Sequence, residues 1–124
     1  MRVLITGSRE HPEPEFVKRI LESLALCKDD VVVVGDNSSG PFSVDYITNL
    51  YFLEQGVPVE VHYANWHEYG RAAGPKRNQA MVDSGADFAL AFPYEGSRGT
   101  RGCVSLARKA GIKVYMFEVL DNHT

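Results

Sequence analysis

Apolar runs recur along this chain at intervals that leave room for a helix between each pair. The runs are Arg2–Thr6, Val31–Val34, Val57–Tyr63, Phe88–Phe92 and Lys113–Val119. Parallel neighbours in a sheet need a crossover of a dozen or more residues, so a βαβαβαβαβ order predicts a parallel sheet with helices on both faces. Val3-Leu4-Ile5 and Val31-Val32-Val33-Val34 are apolar at consecutive positions, as strands covered on both faces require. The third run alternates, with Val57, Val59 and Val61 set against Pro58, Glu60 and His62. Alternation together with a proline fits an edge strand.

An order of 3-2-1-4-5 places that run at an edge and the two most apolar runs inside. The expected fold is α/β, a single Rossmann-like doubly wound domain over residues 1–124 with a five-stranded, mainly parallel sheet. The helical segments agree. Phe16, Ile20 and Leu24, flanked by Val17 and Leu21, make one apolar stripe, and Val44, Ile47 and Tyr51 make another. Gly56, Gly85 and Gly111 each precede a strand, where glycine ends a helix in the left-handed conformation at no steric cost. The last residues, "DNHT", read as a frayed tail.

Composition narrows the function classes. A net charge of −3 disfavours nonspecific nucleic-acid or membrane-surface binding, which calls for a basic face. No apolar stretch is long enough to span a bilayer. The first residues enter a strand directly, without the apolar core and cleavage site of a signal peptide. Cys27 and Cys103 are far apart and outside any Cys/His cluster. They are expected to be reduced and packed as small hydrophobes, with no metal site and no cofactor. A cytoplasmic location is the expectation.

In an open parallel sheet, ligands bind beyond the carboxyl ends of the strands where the strand order reverses. That point lies between strands 1 and 4. The loops there are "TGSRE" and "FPYEGSRGT", with "GDNSSGP" after strand 2 alongside. All three combine glycine with hydroxyl side chains and lead into helices, whose N-termini favour negative charge. Taken singly, each has an ordinary explanation: Gly7 makes a turn, Arg9 is solvated, Asp36 or Ser38 caps a connector. Together they nominate Gly7, Ser8, Arg9, Gly35, Asp36, Pro93, Gly96, Ser97, Arg98, Gly99 and Thr100 as ligand contacts. A fourth segment, "NWHEYGRAAGPKRNQAM", carries Arg71, Lys76 and Arg77 at the start of a helix opened by Gly74-Pro75. Three cations there compose either an anion site or a solvated basic surface; Trp66 and Tyr69 serve either as packing anchors or, for Trp66, as a stacking surface.

The combination "VLITGSRE", "GVPVEVHYANWHEYGRAAGPKRNQAM", "GADFALAFPYEGSRGT" and "AGIKV" resembles the YspA-type branch of the SLOG superfamily. These are Rossmann-like proteins related to the DNA-processing protein A and to the Lonely Guy phosphoribohydrolases. The resemblance covers nearly the whole chain, with "AAGPKRN" its most specific part. It implies a nucleotide or nucleotide-derived ligand held by Gly7, Ser8 and Arg9, by the Arg77-Asn78 pair, and by Gly99-Thr100. Lonely Guy enzymes carry a PGGxGTxxE pattern. Here Pro93 is followed by Tyr94-Glu95-Gly96-Ser97-Arg98, and Cys103 stands in the glutamate position. Asp45 is the acid that matches the family aspartate after the strand 2 turn.

The leading expectation is a binding module for a nucleoside monophosphate or ADP-ribose-like molecule, for sensing or sequestration, with Trp66 or Tyr94 against the base. The alternative is a nucleotide N-glycosidase, in which Arg77 holds phosphate and Glu95, Asp36 or Asp45 supplies the carboxylate that cleavage calls for. Single-stranded nucleic-acid binding is disfavoured by the charge balance. A homo-oligomer that completes the pocket is compatible with these features.

Overall fold

A computed structural model describes residues 1–36 and 40–119. Ser38 and the tail 121–124 lie outside the described residues. Five strands, β1 (Arg2–Gly7), β2 (Val31–Gly35), β3 (Val59–His62), β4 (Phe88–Phe92) and β5 (Lys113–Met116), form one sheet. Every pairing is parallel, and the order is β3-β2-β1-β4-β5. The helices are α1 (Pro14–Ser23), α2 (Val44–Glu54), the short α3 (Trp66–Tyr69), α4 (Ala73–Asp83) and α5 (Arg98–Lys109). A 3₁₀ turn, Gly70–Ala72, links α3 to α4.

The core divides by strand alternation. Val3 and Ile5 of β1, with Val32 and Val34 of β2, meet Val17 and Leu21 of α1 and Val44, Ile47 and Phe52 of α2. Leu4 and Val33 point the other way, onto Met81 and Val82 of α4 and Cys103 and Ala107 of α5. Three layers result, α1 and α2 on one face and α4 and α5 on the other. Right-handed crossovers on either side of a central strand produce this division. Val3, Leu4 and Ile5 are wholly excluded from water.

Two strands are shorter than the apolar runs that announced them. Val57 is drawn into the end of α2: its N–H donates to Phe52 O at 2.9 Å, while Gly56 N–H donates to Leu53 O at 3.2 Å. This is a Schellman turn, and it needs Gly56 at φ +72°. The same pair of bonds closes α5, from Ile112 N–H to Ala107 O and from Gly111 N–H to Arg108 O, each 3.0 Å. β5 stops at Met116, and Phe117 turns inward to stack on Phe92 at 5.1 Å. One cysteine also departs from expectation. Cys103 is buried, but Cys27 is exposed in the α1–β2 turn, where its N–H donates to Asp30 Oδ2 at 2.9 Å.

Nothing lies within 4 Å of the place a Cβ would occupy on Gly56. Gly56→Ala therefore carries only the conformational cost of a left-handed residue, about 1–2 kcal/mol. Urea denaturation measures it, and an unchanged midpoint would contradict this account of the α2 terminus.

Candidate functional site

A cleft of about 1020 Å³ opens beyond the carboxyl ends of β1 and β4, where the strand order reverses. Its size stands at the top of the usual range for small-molecule sites, about 300–1,000 Å³. Of the residues nominated from the sequence, Gly7, Ser8, Arg9, Asp45, Arg77, Asn78, Glu95, Ser97, Arg98, Gly99 and Thr100 line it. Gly35, Asp36, Pro93 and Gly96 lie off its lining. Pro93 is buried, Gly96 is exposed on the loop, and Asp36 is exposed where the chain leaves β2.

The floor begins at the end of β1. Ser8 N–H donates to Phe92 O, and Ser8 O accepts from Val44 N–H, both at 3.1 Å. The first turn of α2 is thereby fastened against the β1 loop. A Cβ on Gly7 would fall 2.5 Å from the Val44 side chain, so glycine is there for close approach. Ser43 caps α2 by accepting the Tyr46 N–H, and Asp45 follows in the same turn, facing the cleft.

Arg77 comes from α4. Its guanidinium packs against Gly35: a Cβ there would be 2.6 Å from Nη1 and 2.8 Å from Cζ. Gly35 therefore acts behind the cleft, as the surface on which the arginine rests. Arg77 Nε donates to Asn78 Oδ1 at 2.9 Å, and Asn78 Nδ2 donates to Gly99 O at 3.2 Å. This relay joins α4 to the first turn of α5. Arg77 Nη1 is buried without a partner among the described residues, and so is Ser8 Oγ.

The three cations of the α4 segment do not converge. Neighbouring helical positions are turned by about 100°, so Arg77 faces the cleft while Lys76 lies over the Tyr69 ring, 4.8 Å from its centroid. Arg71 is exposed, off the lining. Other basic residues, Arg101, Arg108 and Lys109, border a shallower groove of about 520 Å³ along α5, with Arg101 paired to Glu118 at 2.8 Å.

The rim is the β4–α5 loop. Glu95 and Ser97 adopt left-handed backbone, φ 54° and 36°, a conformation costly for residues with a side chain. Ser97 Oγ holds it by accepting the Tyr94 N–H at 2.9 Å and donating to Tyr94 O at 2.7 Å. That hydroxyl is consumed within the loop. α5 then starts with no side-chain cap among the described residues, leaving the amides of its first turn at the cleft. Thr100, buried in that turn, lines it too.

Some lining residues escaped the sequence reading. Gly102, Ser105 and Leu106 continue the α5 face begun by Arg98, a spacing of four, seven and eight residues that helical periodicity contains. Glu10 also lines the cleft. Trp66, half-exposed, rests on Gly74, whose Cβ would stand 3.3 Å from the indole. It is positioned by α3, which Asn65 caps by accepting the Glu68 N–H at 3.1 Å and donating to Glu68 Oε2 at 3.0 Å.

The electrostatics are divided. Burial pushes the Asp45 carboxyl up to about 7; Arg77 pulls against this and Asp36 adds to it. Burial likewise pushes the Cys103 thiol up to about 11, with Thr6, Arg77 and Asp45 as lesser influences. Cys103 is fully buried beneath the cleft and off its lining. Cys103 is thus a core position here.

Fold and site define a Rossmann-like α/β protein whose cleft lies at the switch point of a parallel sheet. Within that class the chain belongs to the family of the Gene 61 protein of Mycobacterium phage D29. It is 39% identical to that protein over 119 residues, covering 94% of this chain and 95% of the relative. No family model matches the chain. No helix among the described residues is long and apolar enough to cross a membrane.

Asp45 provides a pH test of the site. Its folded value lies above the ordinary 3.8, so the folded protein keeps a proton that the unfolded chain has released. Stability is lost as pH rises from about 4 to about 7, by on the order of 4 kcal/mol. Asp45→Asn should therefore raise the urea midpoint at pH 8 and leave it nearly unchanged at pH 4. An equal gain at both pH values would contradict the assignment.

Proposed function

We propose that the cleft binds a phosphate-bearing nucleotide or nucleotide-derived ligand, of nucleoside monophosphate or ADP-ribose-like class, for sensing or sequestration. The observation that carries this reading is Arg77: a guanidinium on the cleft wall, one nitrogen buried and unpartnered, with no ion pair among the described residues. Leaving a buried charged donor unpaired costs more than the roughly 1–3 kcal/mol of a neutral one. A ligand oxyanion supplies the missing acceptor. The uncapped first turn of α5 adds backbone donors on the same cleft. Trp66, standing at the edge, offers a face for a base. The resemblance to the YspA-type SLOG proteins points the same way.

A second reading, hydrolysis of an N-glycosidic bond, has one observation in its favour. Asp45 is a buried carboxyl on the same cleft, held up to about 7, the range that suits proton transfer near neutrality. Glu10 and Glu95 line the cleft but are exposed, and Asp36 is off the lining, so Asp45 is the buried carboxyl for that chemistry.

Ligand-observed proton NMR with nucleoside monophosphates, ADP-ribose and NAD, followed for hours, tests both. Broadening of one compound with its anomeric signal intact is the result expected for a binding protein. Loss of that signal with release of free base would favour hydrolysis. Arg77→Met should weaken binding by at least about tenfold; retained affinity in that variant, or silence from every nucleotide, would overturn the proposal.

A further inference from the structure

The cleft contains more than an anion site. Ser8 and Asp45 are each more than nine-tenths buried, at 8% and 9% exposure, and both line it. Ser8 Oγ has no partner among the described residues. The two are fixed to one another through the backbone, since Val44 N–H, next to Asp45, donates to Ser8 O. They stand where α2 begins, whereas α5 belongs to the other side of the sheet, with Arg77 linked to its first turn through Asn78 and the Gly99 carbonyl. The cleft thus offers acceptors at the start of α2 as well as donors on Arg77 and the first turn of α5.

We infer that Asp45 and Ser8 form a specificity subsite that accepts hydrogen bonds from the vicinal hydroxyls of a ribose, while the phosphate of the same molecule occupies the α5 end. This rests on the phosphate reading above and states which sugar phosphate the cleft selects. An ionised carboxylate is acceptor-only and can take two hydroxyl donors, and a serine hydroxyl either donates or accepts. The charged groups facing Asp45 are Arg77 from α4 and Asp36 from the end of β2. Arg77 argues against an ammonium group as the donor, because a second cation would meet its repulsion. Neutral hydroxyls meet no such penalty. A sugar lacking them leaves the buried carboxylate unpaired, which sites of this kind reject strongly.

Titration calorimetry on the whole chain, using ring-closed probes, decides the matter. The probes are the methyl furanosides of ribose 5-phosphate and of 2,3-dideoxyribose 5-phosphate, with inorganic phosphate as reference. At pH 8 the ribose compound should bind at least about tenfold more tightly than the dideoxy compound. The ratio should shrink below pH 7, as Asp45 takes up its proton; the titration of phosphate itself is common to both sugars and cancels. Asp45→Ala should bring the ratio to within about twofold. Equal affinity of the two sugars in the unaltered protein, or an unchanged ratio in Asp45→Ala, would overturn the inference while leaving the phosphate reading intact. Failure of all three probes to bind would remove both.

Discussion

Everything at this site depends on the burial of β1. Val3, Leu4 and Ile5 are shut away from water on consecutive positions, which a strand achieves only with a neighbour on each edge and a helix layer on each face. That forces β1 to the middle of the sheet, between β2 and β4. Once it is there, the chain must leave its carboxyl end toward one face while β4 sends its connection to the other. The gap between these departures is the cleft.

The cleft keeps opposite charges near each other without letting them neutralise. Arg77 is felt at Asp45, yet the two form no ion pair among the described residues. A buried pair in contact would satisfy both groups and leave little for a ligand. Instead the guanidinium is packed against Gly35 and oriented by Asn78, while Asp45 rides on the first turn of α2. Keeping Asp45 charged with no ion pair among the described residues lowers the stability of the fold. Under the proposed function this is a cost the scaffold bears to keep both groups open to a ligand.

The sheet order and the three glycine helix ends were legible because both are written in local patterns: consecutive apolar residues for central strands, alternation for an edge, glycine before a strand. The ends of β3 and β5 were less so. Val57 has the composition of a strand residue but closes the α2 turn, and Phe117 is claimed by Phe92. Residues 70–80 misled in another way. Composition counted three cations, but a helix turns neighbours apart, and Lys76 was taken by Tyr69. Gly35 lay in the right loop for a different reason, since its packing beneath Arg77 joins residues 42 positions apart. Ser97, nominated as a ligand contact, does line the cleft, but its hydroxyl also holds the left-handed backbone of its own loop. Non-local packing of this kind leaves no periodic trace.

The central claim, that phosphate is held at the switch point by Arg77 and the first turn of α5, is most directly tested by amide-resolved NMR of the labelled protein titrated with AMP. Shifts concentrated on Gly7, Ser8, Gly99, Thr100 and the Arg77 Nε–H are the result expected. Shifts confined to the groove of Arg101, Arg108 and Lys109, or spread without focus over the surface, would contradict it.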